Sequence, residues 1–190
     1  MPGRTPAEAA RAFLEPLQQA LGCVAHAKIT TSPGGLSRPG GPHWWSINAG
    51  RGVALSTGHQ LHAQMWYSLV EEEGHRGPWR ASTRGYAYSV QDHEGRELLA
   101  AHWHPESPGR HVEPHLHLPA KVLSEEGVFL AQEPLYTGRF TFEALIRFGV
   151  TNLQARPMCE DWNDRLTLAE APHTLYRSWH QTPAEAERKT

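Results

Sequence analysis

The chain has 190 residues, of which 39% are hydrophobic and 20% charged, with a formal net charge of -2 and a pI near 6.7. This supports a single domain, residues 1–190, with a real core, and leaves too little chain for a second independent one. Near-neutral charge argues against a protein that coats nucleic acid through bulk positive charge, while a local basic groove stays compatible with it. No stretch approaches membrane-spanning length, and Glu8 and Glu15 interrupt the segment where a signal peptide needs an unbroken apolar run. A cytoplasmic protein with no membrane partner is the expectation. Cys23 and Cys159, far apart in sequence and outside any C-x-x-C arrangement, read as two reduced thiols.

Thr5-Pro6-Ala7-Glu8 has the form of a capping box with proline at the first helical position, and predicts a helix that ends at Gly22. Phe13, Leu14, Leu17 and Leu21 recur at helical spacing, so one face should bury. The pattern turns toward strand from Val24 to about Thr31, and Ser32 to Pro42 is a loop by its Gly and Pro content. Three β-like stretches follow, at about 43–48, 53–56 and 62–70. The run from Glu71 to Trp79 reads as an exposed connection. Tyr86 to Val90, a turn at Asp92-His93-Glu94-Gly95, and Glu97 to Trp103 then form the best-signalled hairpin, with a third strand predicted at about 114–123.

The last third has helical signals. Thr141 can cap a helix through Leu145, Ile146 and Phe148 ended by Gly149, and Asp161 or Asn163 can start another carrying Trp162, Leu166 and Leu168. Pro172 should break or restart that helix before Leu175, Tyr176 and Trp179. The tail, 181–190, is charged and predicted to fray. The class is therefore α+β: an antiparallel sheet of about five to seven strands with an N-terminal helix (1–22) and C-terminal helices packed on it. Residues 23–123 form the strand-rich core and 124–190 are mainly helical.

Five histidines, His102, His104, His111, His115 and His117, fall within sixteen residues as two H-x-H pairs around a Pro- and Gly-containing loop. Strand residues two apart share a face, so each pair points one way, and neighbouring strands in suitable register would bring four imidazoles together. A one-residue slip would destroy that convergence.

Two chemistries use the same residues. Without metal, His102, His104, His115 and His117 supply a general base and a general acid for cleaving RNA through its own 2′-hydroxyl, with Arg96, Arg110 and Lys121 binding phosphate and Arg84 and Arg139 as weaker candidates. With metal, the four are ligands for zinc, iron or copper, and Glu106 or Glu113 stands near enough in sequence to add a carboxylate. Structural hydrogen bonding to loop carbonyls is the third account. His59 and His62 are weaker contributors. The tryptophans Trp44, Trp45, Trp66, Trp79 and Trp103 read as a base-stacking platform or, more ordinarily, as core.

Tyr86 and Tyr88, Asp92 and Gly95, Pro105, and then Pro114, His115 and His117 together resemble the central block of TumE-like toxin components of bacterial toxin-antitoxin systems. The resemblance covers about 84–123 and extends weakly through 141–148. His102-Trp103-His104 stands where that family has an Asp-Asn pair, and this chain is longer at both ends. The resemblance implies a compact α+β protein acting on RNA, with an antitoxin-like partner. The preferred expectation is thus a histidine-dependent, RNA-cleaving or toxin-like protein that needs no cofactor. The alternatives are a metal-dependent hydrolase or oxygenase on the same histidines, and a non-enzymatic interaction protein.

Overall fold

The computed structural model describes residues 2–72, 77–106, 111–132 and 134–176. Helix α1 (Pro6–Gly22) begins as its sequence dictates: the Thr5 hydroxyl accepts the Glu8 N–H at 3.2 Å, and Pro6 occupies the first turn, where no N–H partner is required. The return half of the capping box is redirected, because the Glu8 carboxylate accepts from the Arg4 N–H at 2.8 Å. Phe13, Leu17, Ala20 and Leu21 are fully buried along one face.

Among the described residues nine strands form one antiparallel sheet: β1 (Pro2–Gly3), β2 (Ile29–Thr31), β3 (Gly40–Ile47), β4 (Val53–Ala54), β5 (Gln60–Glu71), β6 (Trp79–Gln91), β7 (Glu97–Trp103), β8 (His115–His117) and β9 (Leu135–Tyr136). The order is β2-β3-β5-β6-β7-β8-β9, with β1 paired to β6 and β4 to β5. The expected five to seven strands fell short because β1 and β9 are two-residue pairings too brief to leave an alternation pattern, whereas β4 lies within the stretch expected at about 53–56. The expected strand at 114–123 is shorter, since pairing stops at His117 and a 3-10 turn occupies Ala120–Val122.

Alternation along the long central strands divides the sheet into two faces. Leu61, Ala63, Met65 and Tyr67 of β5, Tyr86, Tyr88 and Val90 of β6, and Ala101 and Trp103 of β7 are buried beneath the helices. Phe13 of α1 meets Tyr67 with ring centres 5.2 Å apart, and Phe142 of α2 (Phe142–Thr151) meets Trp45 edge-on at 5.2 Å. Each such side chain removed from water contributes about 1.5–3 kcal/mol before chain entropy is counted. The residues between them, among them His62, Gln64, Trp66, Ala87, Ser89 and His102, line the uncovered face and are half-buried.

Thr141 caps α2 by accepting the Ala144 N–H, but the helix runs through Gly149 to Thr151 and ends at Asn152. Helix α3 (Trp162–Tyr176) likewise continues through Pro172, which bends the expectation of a break there. Its position is fixed by packing onto α1 and α2 and by the edge-on contact of His173 with Phe13 at 5.5 Å. Cys23 and Cys159 are both reduced thiols, and the fold brings them within hydrogen-bonding reach. Burial, followed by the neighbouring Cys159, raises the Cys23 thiol to about 11.

A carboxylate lies inside this core. Glu143 is fully buried, its Oε1 is 4.0 Å from Nε2 of His173, and neither carboxylate oxygen has a hydrogen-bond partner among the described residues. Burial raises Glu143 to about 7 from an ordinary value of 4.5, and burial also lowers His173 to about 4. Native Glu143 therefore holds its proton over a range in which the unfolded chain has lost it, so stability present below pH 4.5 is lost as pH rises and the loss is complete above 7. Glu143→Gln should remove this slope: relative to the parent, its stability in urea denaturation should improve by about 2–3 kcal/mol between pH 5 and pH 8. An unchanged difference across that range would contradict the assignment.

Candidate metal centre

The pairing of β7 with β8 sets the site. Its register places Ala100 opposite His117, Ala101 opposite Leu116 and His102 opposite His115. Ala101, Trp103 and Leu116 turn toward the helices, so His102, His115 and His117 turn together onto the uncovered face. Their ring centres are 5.8 Å apart for His102 and His115, 5.2 Å for His102 and His117, and 4.9 Å for His115 and His117. One ring nitrogen from each lies within 4.8 Å of the other two. That is the spacing at which three imidazoles can share one ion.

The remaining two histidines flank this group. His104, just past the end of β7, has its ring 5.3 Å from that of His102, and His111 lies 5.5 Å from His115. His115 is almost fully buried, and its Nδ1 lies 2.7 Å from the Glu113 carbonyl oxygen. A carbonyl only accepts, so Nδ1 carries the proton, and in the neutral ring Nε2 is then the nitrogen that offers a lone pair, the tautomer a metal requires. Nδ1 of His111 is 3.1 Å from the Tyr136 hydroxyl.

Electrostatics disfavours the charged form of His102, His104 and His117. Burial, reinforced by His104, His117 and His115, lowers His102 to about 4. Burial lowers His104 as well, with His115 adding to it, and lowers His117, with His115, His111 and His104 adding to it. Several imidazolium ions cannot crowd into one half-buried patch, whereas neutral imidazoles present the lone pairs that bind a cation.

The other sequence-predicted residues are dispersed. Arg96 is held in the β6–β7 turn by Asp92 at 2.6 Å and Glu94 at 2.7 Å, six strand positions or about 20 Å from His102. Lys121 lies exposed in the 3-10 turn that follows β8, and Arg110 is outside the described residues. Arg139 stacks on the Trp103 ring at 4.4 Å, so it belongs to Trp103's side of the sheet. Glu106 reaches Arg84, and no carboxylate belongs to the three-histidine group among the described residues. His59 bonds Thr57, whereas His62 shares with His102 a polar hollow of about 220 Å³ that also includes Gln64, Ser89 and Glu97. Trp45 and Trp103 are core; Trp44 and Trp66 are directly paired neighbours on β3 and β5, half-buried on the uncovered face.

Sequence reasoning missed Gln64 and Ser89 as neighbours of the site, because nothing local distinguishes them from ordinary strand residues, and it ranked Arg84 only as a weaker phosphate-binding candidate. The one available signal was period two along β5 and β6, which assigns Gln64 and Ala87 to the same face as His102 through the register Gln64 to Ala87 to His102.

No family model matches the sequence, and neither the curated proteins nor the solved structures contain a match to it. The resemblance of residues 84–123 to TumE-like toxin components therefore rests on the sequence alone.

Gly85 is the position where backbone closeness supports the site. A Cβ there would stand 2.7 Å from the Trp103 carbonyl oxygen, between His102 and His104. Gly85→Ala should displace β7, costing about 1–3 kcal/mol in chemical denaturation, whereas Gly95→Asn in the open β6–β7 turn should cost well under 1 kcal/mol.

Proposed function

We propose that the chain is a metal-dependent hydrolase in which His102, His115 and His117 hold one zinc ion. The observation that carries this reading is the convergence of three ring nitrogens within 4.8 Å on an uncovered sheet face. Three imidazole ligands with a fourth position left to water is an arrangement found in catalytic zinc sites, and the ion would lower the pKa of that water to about 7. An all-imidazole set suits zinc or copper, whereas the iron oxygenase triad needs a carboxylate beside two histidines.

The metal-free, RNA-cleaving reading has weaker support from the geometry. Acid and base must stand on opposite sides of a scissile phosphate, but these imidazoles stand side by side. Arg96, proposed to steady the phosphate, is engaged by two carboxylates at the far end of the hairpin. A buried, oriented imidazole such as His115, with one ring nitrogen within 4.8 Å of a nitrogen on each of two others, also exceeds what structural hydrogen bonding needs.

Protein purified without a histidine tag should bind close to one zinc per chain by metal analysis and calorimetry. Loss of an outer partner commonly costs ~10–100-fold in affinity, so His102→Ala, His115→Ala and His117→Ala should each weaken binding at least about 100-fold. His111→Ala should weaken it less than about 10-fold on the same scale. Zinc-loaded protein should hydrolyse 4-nitrophenyl acetate and lose that activity to a chelator. Undiminished zinc affinity in all three ligand variants would overturn the proposal.

A further inference from the structure

Beside the three histidines is a second hollow, of about 450 Å³, which the metal reading leaves without a role. Two irregularities of the sheet make it. Trp66 pairs with Gly85 and Tyr67 with Thr83, so Arg84 is the extra residue of a bulge in β6; a second register shift lies between Gly40 and His43 of β3. Bulges bend a strand and re-aim the side chain they carry. Here the Arg84 guanidinium turns across the sheet: its Nε donates to the Ser68 hydroxyl at 3.2 Å, and Nη1 reaches the exposed Glu106 carboxylate at 3.5 Å. Glycine keeps the floor low. A Cβ on Gly41 would stand 2.6 Å from the Ser68 hydroxyl, and one on Gly85 would reach the Trp103 carbonyl.

The wall of this hollow leads to the proposed ion. Trp66 stands edge-on to His104 with ring centres 5.9 Å apart, and His104 is 5.3 Å from His102. An aromatic surface, a guanidinium and a metal-binding group thus follow one another across a single face.

We propose that this hollow is the anchoring subsite of the same centre, and that it takes a substrate bearing an oxyanion, carboxylate or phosphate, on a flat apolar group. The flat group lies on Trp66, and the oxyanion displaces Glu106 from the outer edge of Arg84, whose long exposed ion pair holds weakly. A charge-assisted bond from a planar guanidinium is stronger and geometrically selective. The reacting bond then falls toward His102, His115 and His117. Only that last step rests on the metal reading, because anion capture by Arg84 needs no ion.

The test uses metal-free full-length protein titrated with benzoate, phenyl phosphate and neutral benzamide, following tryptophan indole NMR signals assigned with Trp66→Phe. Either anion should bind at least about tenfold more tightly than benzamide, and the tighter of the two identifies the headgroup. Arg84→Gln should abolish that preference while leaving benzamide binding unchanged; Arg84→Lys should restore part of it. Equal binding of benzamide and both anions to the parent protein, or a preference that survives in Arg84→Gln, would overturn the subsite. Failure to bind zinc with the anion preference intact would remove the metal reading and leave the subsite standing.

Discussion

Three residue pairs joining β7 to β8 hold this arrangement together. They are held in place from the opposite side of the sheet, where Ala101, Trp103 and Leu116 pack toward the helices. Because side chains alternate with period two, a slip by one residue would carry His102 into the core and Trp103 into water. The cost of exposing a fully buried tryptophan fixes the register, and the register aims the imidazoles. Hydrophobic packing beneath the sheet is therefore the cause of the polar geometry above it.

Burial treats the polar groups of the two faces differently. On the uncovered face it disfavours the charged form of His102, His104 and His117, and a neutral imidazole offers the lone pair that a cation binds. On the covered face it leaves Glu143 beside His173 in the core, where neither group gains full hydrogen bonding from the other at 4.0 Å. The first is a patch suited to a cation; the second opposes ionisation and ties stability to pH.

Much of the site was legible before the structure, because H-x-H on a strand has a definite geometric meaning. The pairs were readable from alternation, as were the Thr5 and Thr141 caps and the hairpin turn at Asp92 to Gly95. What was not readable depends on pairing across the sheet. Arg84, only a weaker candidate in the sequence, is aimed by a one-residue bulge that no local pattern marks, and Arg96, close to the histidines in sequence, is carried away from them by the length of β7. His104 separates from the other three in role for a related reason: β7 ends at Trp103, so His104 leaves the ladder and turns toward Trp66. The meeting of Cys23 with Cys159 and the continuation of α3 through Pro172 likewise reflect tertiary packing that overrides local signals.

Zinc-edge X-ray absorption on the zinc-loaded protein tests the central claim most directly, because it reads the ligands without assuming an activity. Convergence of His102, His115 and His117 on one ion predicts three imidazole nitrogens at about 2.0–2.1 Å with one further light ligand, and the outer-shell scattering that rigid imidazole rings produce. A coordination shell containing one imidazole or none would contradict it.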